Sequence, residues 1–166
     1  RQASRTILAE EAEWYICAVG MFDCARMDVS PDRPMVALAE SWENLAAIED
    51  VIDKVTDNPP IWILPHPVDE HMQEDFDFFD LEVKNEDISA YREVMSGRKG
   101  FLIESMHSIE EAEKGEWYYK PDGIHLSDAG HATLVKEILL GIEYHSKNLN
   151  KNYRPRSKRS DTGLLN

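Results

Sequence analysis

Apolar residues in this chain alternate between short unbroken runs and longer stretches in which they recur every three or four positions. Trp14-Tyr15-Ile16-Cys17-Ala18-Val19, Ile61-Trp62-Ile63-Leu64 and the stretch from Phe101 to Met106 are runs of strand length, bounded by Gly20, Pro65 and Gly100. Such runs predict strands buried on both faces. Between the first two, Met35, Leu38, Trp42, Leu45, Ile48, Ile52 and Val55 keep helical spacing and predict a long amphipathic helix with this stripe in the core, stopped by Asn58-Pro59-Pro60. Thr6 to Glu13 is rich in helix formers, and Ile88, Tyr91, Val94 and Met95 predict a shorter helix closed by Gly97. A last helix, capped by Ser127 or Asp128, is predicted to bury Leu134, Val135, Ile138, Leu139 and Ile142. The segments around Pro31 and Pro34 and from His66 to Asn85 read as loops, the second with Phe76, Phe78 and Phe79 packed back on the body.

This alternation predicts an α/β fold with a mainly parallel sheet between two helical layers, a three-layer α/β/α domain. In such sheets the working residues gather at the carboxyl ends of the strands. Gly20 to Asp23, Pro65 to Asp69 and the turn carrying His125 are all predicted on that edge.

Composition narrows the function classes. With 166 residues, 42% of them hydrophobic, the chain can bury one ordinary core. Its net charge of −14 disfavours broad contact with nucleic acid or anionic membrane. From Ser146 onward, however, six basic residues face one acid, so this end carries +5 against −19 for the rest. Two segments follow: a domain over 1–145 and a basic, disordered tail over 146–166, read as a solvated extension that could contact an acidic partner. Two cysteines make no disulfide framework, and Cys17 reads as a small core residue. No stretch approaches the ~20 apolar residues of a membrane span.

Chemistry concentrates in Asp122-Gly123-Ile124-His125, a turn leading into the last helix. An aspartate three residues before a histidine can accept the Nδ1 proton, fix the tautomer and leave Nε2 to take a proton from a nucleophile. The plainer reading is an Asx-type turn cap with a histidine bonded to backbone.

Together with Ala18-Val19-Gly20-Met21-Phe22-Asp23, this turn resembles two blocks of the SGNH (GDSL-type) hydrolases, the G-x-N-D block ending a central strand and the final D-x-x-H block. The resemblance covers roughly residues 6 to 145. It implies His125 as general base, Asp122 as its orienting acid, and Gly20 and Asp23 holding the turn beside an oxyanion hole. Phe22 stands where the family has its oxyanion-donating asparagine, and losing one such donor typically costs ~10²–10³ in rate. The family's serine lies on a first strand that nothing in this sequence matches. The chain begins at Arg1 without a methionine, and Ser4 lacks the apolar strand and the glycine the family uses. The expectation is therefore a domain lacking its N-terminal strand, inactive alone, with the serine upstream.

On that resemblance the function is hydrolysis of an acyl or carbohydrate ester by a Ser-His-Asp mechanism, without a cofactor. Pro65, His66, Trp117 and Tyr119 are candidate substrate-binding residues, the aromatic ones because their rings offer large contact area with a polar tip. A non-catalytic binding or scaffold module of the same fold is the alternative. A weaker one is a metal-dependent hydrolase using His66, His71, Asp122 and His125, though their spacing matches no recurrent zinc pattern. An exposed sheet edge would invite self-association or a complementary fragment.

Overall fold

Three parallel strands form the frame that holds the candidate turn. The structure, a computed structural model, describes residues 2–9, 12–73, 81–104 and 118–149. Element order is α1 (Gln2–Ala9), β1 (Ile16–Ala18), β2 (Ala25–Met27), α2 (Leu38–Val55), β3 (Ile61–Ile63), α3 (Glu70–Gln73), β4 (Leu81–Val83), α4 (Asn85–Ser96), β5 (Phe101–Ile103) and α5 (Asp128–Leu149). The main sheet has the order β1-β3-β5, all parallel, with Trp62 of β3 opposite Cys17 and Leu102.

Side chains alternate across this sheet. Cys17, Trp62 and Leu102 turn to one face and pack with Leu45 of α2 and with Tyr91 and Met95 of α4. Ile7 of α1 joins that layer against Val51 and Ile52. On the other face lies α5, where Gly141 sits so close to Ile103 that a Cβ would come within 2.9 Å of it, and His145 stacks on Phe101 with ring centroids 4.2 Å apart. The three-layer expectation therefore holds.

Several local expectations do not. The run containing β1 is not buried on both faces, because among the described strands β1 lies at the edge and Ile16 is 49% exposed. The stripe from Met35 to Val55 is core only from Leu45 onward. Met35 and Leu38 are exposed, and Trp42 lies at the surface under the Arg98 guanidinium, 4.2 Å from its ring centroid. Val135 and Leu139 of α5 are exposed, while Leu134, Ile138 and Ile142 are half-buried, since among the described elements α5 makes its main contact with β5. Two segments read as loops contain β2 and β4, an antiparallel pair with Arg26 opposite Glu82. The boundary at 145 falls inside α5, which continues to Leu149. Phe76, Phe78, Phe79, Ser105, Met106, Trp117 and 150–166 lie outside the described residues.

Polar ties hold the helical layer. Glu49, 7% exposed, is paired with the Arg98 guanidinium and also accepts the Lys99 backbone N–H at 3.0 Å. Removing one partner of such a buried pair typically costs ~3–5 kcal/mol.

Candidate active site

The turn from Lys120 to Ser127 is built by its own backbone. Lys120 N–H donates to the His125 carbonyl at 2.8 Å, and Gly123 N–H donates to the Lys120 carbonyl at 2.9 Å. Gly123 has φ +67°, and a Cβ there would lie 2.3 Å from the Asp69 carbonyl oxygen, so only glycine fits. Ser127 caps α5, its Oγ accepting the Gly130 N–H at 3.2 Å.

Within this turn the two carboxylate oxygens of Asp122 divide the two readings of the motif between them. Oδ1 accepts the backbone N–H groups of Ile124 at 2.9 Å and His125 at 2.8 Å, which is the Asx cap. Oδ2 lies 2.8 Å from His125 Nδ1. Burial pushes the Asp122 carboxyl up, but the two amides and the imidazole outweigh it and hold the group below its ordinary range. The carboxylate being ionised, Nδ1 carries the proton and donates it. The Asp122 side chain is 10% exposed and that of His125 43%, a buried brace beneath an accessible ring. An imidazole held this way can take a proton at Nε2.

His125 borders a cavity of about 750 Å³ at the carboxyl ends of β1 and β3. Its floor includes Ala18, Val19, Leu45 and Ile63, and its rim includes His66, Lys120 and His131. Gly20, Phe22, Asp23 and Pro65 also line it, so six of the residues singled out in the sequence meet in one hollow. Gly20, at φ +102°, turns the chain directly over Tyr91, whose ring a Cβ would approach to 2.2 Å. Tyr91 Oη in turn donates to Asp23 Oδ2 at 3.2 Å. Phe22 is 45% exposed, with its ring centroid 6.2 Å from that of His125.

Other candidates sit elsewhere. Tyr119 lies behind the wall, 6% exposed, and donates to the Pro67 carbonyl at 2.6 Å. Trp117 is outside the described residues. His66 has its Nε2 2.8 Å from the Ile124 carbonyl, an oxygen that can only accept, so Nε2 carries a proton. No group of three or more His, Cys, Asp or Glu among the described residues is arranged to hold a metal. Residues the sequence reading did not single out as lining, Asn44 and Lys120 among them, could have been found only by knowing which elements face the sheet edge.

Neither thiol is poised as a nucleophile. Burial pushes Cys17 up to about 11, and burial with Asp23 and Asp87 nearby pushes Cys24 up to about 12. Among the described residues lining the cavity there is no serine, threonine or cysteine. No described helix is long and apolar enough to cross a membrane.

The chain is similar in structure to a lipase/acylhydrolase from Enterococcus faecalis, with a TM-score of 0.52 and 18% identity over 94% of this chain and 70% of that one. A second solved structure aligns with a TM-score of 0.50 and 14% identity, over 90% of this chain and 64% of the other. The chain thus spans about two thirds of the length of each. No family model and no curated protein matches it. At these identities the likeness shows the fold alone, helices on both faces of a mainly parallel sheet.

Proposed function

We propose that this chain carries the acid–base pair and much of the binding cavity of an acyl-ester hydrolase. The observation that supports it most is the 2.8 Å contact between Asp122 Oδ2 and His125 Nδ1 at the mouth of the cavity. A serine hydroxyl would attack the ester carbonyl carbon while its proton passes to His125 Nε2. Asp122 would stabilise the imidazolium, and His125 would return the proton to the departing alkoxide as the ester C–O bond breaks. Water would then release the acyl group by the same route. Backbone amides of the Gly20 to Asp23 turn are the candidates to hold the oxyanion, since Phe22 has no side-chain donor. The apolar floor suits an acyl chain and the Lys120 ammonium at the rim the oxygens of its ester, whether the alcohol is lipid or carbohydrate.

In this reading the attacking serine lies outside the residues lining the cavity. Among the described residues β1 pairs only with β3, and Ala18 and Val19 at its carboxyl end line the cavity. A segment adding there, from the parent protein or a complementary fragment, would bring its carboxyl end beside His125. The competing reading is a binding module of the same fold, favoured by the apolar Phe22 ring beside His125.

Fluorophosphonate labelling of the protein as its gene encodes it, with the modified residue mapped by mass spectrometry, separates the two. An adduct on one serine, strongly reduced by His125→Ala, is the expected result. A folded protein that takes no label would leave the binding module.

A further inference from the structure

One peptide plane decides where the His125 ring points, and it is pinned from both ends. The N–H of the Ile124–His125 peptide is taken by Asp122 Oδ1 at 2.8 Å. The carbonyl oxygen of the same peptide is taken by His66, from the loop that follows β3. We infer that His66 is a positioning residue for His125, its Nε2–H holding the Ile124 carbonyl so that the braced imidazole stays at the cavity mouth. This rests on the acid–base pair proposed above and adds a role that lining the cavity does not require.

The loop after β3 is a clamp with three points of attachment to the turn. Tyr119 donates to the Pro67 carbonyl at 2.6 Å, and Asp69 N–H donates to the Gly123 carbonyl at 2.9 Å. Those two fix the start and middle of the turn. Only the third, from His66, reaches the residue directly before His125. Ile124 is itself 4% exposed with its side chain in the main core, so its carbonyl has little access to water as a substitute partner. The loop is firm in turn: Pro65 is buried, Leu64 N–H donates to the Ile103 carbonyl at 3.0 Å, and Asn85 holds Val68 by two bonds of 2.9 Å. The contact thus ties the His125 turn to the central strand of the sheet.

His66 keeps the required proton through its surroundings. Burial lowers its pKa, favouring the neutral ring, and the Ile124 carbonyl selects the tautomer protonated at Nε2. A ring protonated at Nδ1 alone would set two acceptors against each other.

The test reads tautomers and hydrogen bonds by NMR on imidazole-¹⁵N-labelled full chain, with ester turnover of the protein as its gene encodes it as a second readout. In the wild-type chain, His66 is expected as the Nε2–H tautomer, and His125 should show a downfield Nδ1–H signal that Asp122→Asn abolishes. His66→Leu and His66→Phe, which lack the donor, should shift and broaden the His125 signal, whereas His66→Gln, which keeps an N–H at similar reach, should restore it. Because a misplacement of about 1 Å can cost ~10² in rate, the first two variants should lose roughly 10- to 100-fold in turnover with the glutamine variant within several-fold of wild type. An Nδ1–H tautomer for His66 in the wild type overturns the inference without any variant. So does a His125 signal unchanged in His66→Leu, which would leave the Asp122–His125 pair standing. A wild-type chain whose His125 signal ignores Asp122→Asn would remove the pair and the inference together.

Discussion

Asp122 and His125 are joined twice, once through the backbone and once through the ring, each contact at 2.8 Å. The first shapes the turn and the second orders the imidazole, so the two can be separated by substitution. Asp122→Asn keeps an oxygen for the backbone amides but offers the ring an N–H where it needs an acceptor. Turnover of a p-nitrophenyl ester by the protein competent in fluorophosphonate labelling should fall ~10²–10⁴-fold, the range expected when the tautomer is lost. Asp122→Ala loses both contacts and should cost a further ~1–3 kcal/mol in urea unfolding, because it strands buried amides.

Acid should loosen this turn in a defined direction. The Asp122 carboxyl is held below its ordinary value of 3.8, so its contribution to stability is full above that pH. It is lost as pH falls through the lower, folded-state value, where the native carboxylate takes up its proton. Urea midpoints measured between neutral pH and pH 3 should therefore fall more steeply for wild type than for Asp122→Asn. Parallel curves would show that the carboxylate adds nothing to the fold.

Gly20→Ala should damage the cavity at its other wall. At φ +102° an alanine is strained, and its Cβ would sit 2.2 Å from the Tyr91 ring, which itself is 2% exposed and cannot swing into solvent. The expected cost is about 2–4 kcal/mol from backbone strain and overpacking together. Chemical unfolding measures the loss, and a change under 1 kcal/mol would mean that the turn relaxes freely.

Among the described residues β1 has an unpaired outer edge, which should make the chain associate. Ile16 and Ala18 are exposed on the strand, and Val135 and Leu139 stand exposed on α5, the layer that covers the same sheet face. An uncovered edge with apolar neighbours is a template for another strand. Sedimentation velocity should show concentration-dependent oligomers that Ile16→Lys with Ala18→Glu reduces. A wild-type monomer at all concentrations, melting cooperatively, would contradict this.

What could be read from the sequence depended on how many neighbours each residue needed. Ile61-Trp62-Ile63-Leu64 reads as a doubly covered strand and is one, because β3 has a strand on each side and a helical layer on each face. The run ending at Val19 has the same apolar character but lies at the edge of the described strands, which is a property of sheet order and not of the run. β2 and β4 are three residues each and carry Arg26 and Glu82, too short and polar for periodicity to register. Trp42 belongs to the apolar stripe of α2 yet is used as a platform for Arg98, a pairing 56 positions away that no local pattern carries. The motif around Asp122 is legible because the contacts of Asp122 itself, with Ile124 and His125, are local. The bonds the turn receives from the loop after β3, through Asp69 and His66, depend on sheet order, and His66 read only as a lining residue or a metal ligand.

If an aspartate-braced His125 does proton transfer at this cavity, ester turnover depends on its imidazole. The most direct measurement is ester turnover of the protein as its gene encodes it beside His125→Ala, with urea unfolding showing both folded. Turnover reduced by at least ~10²-fold in the variant is the predicted result, the scale expected for loss of a general base. Equal turnover by the two proteins would contradict it.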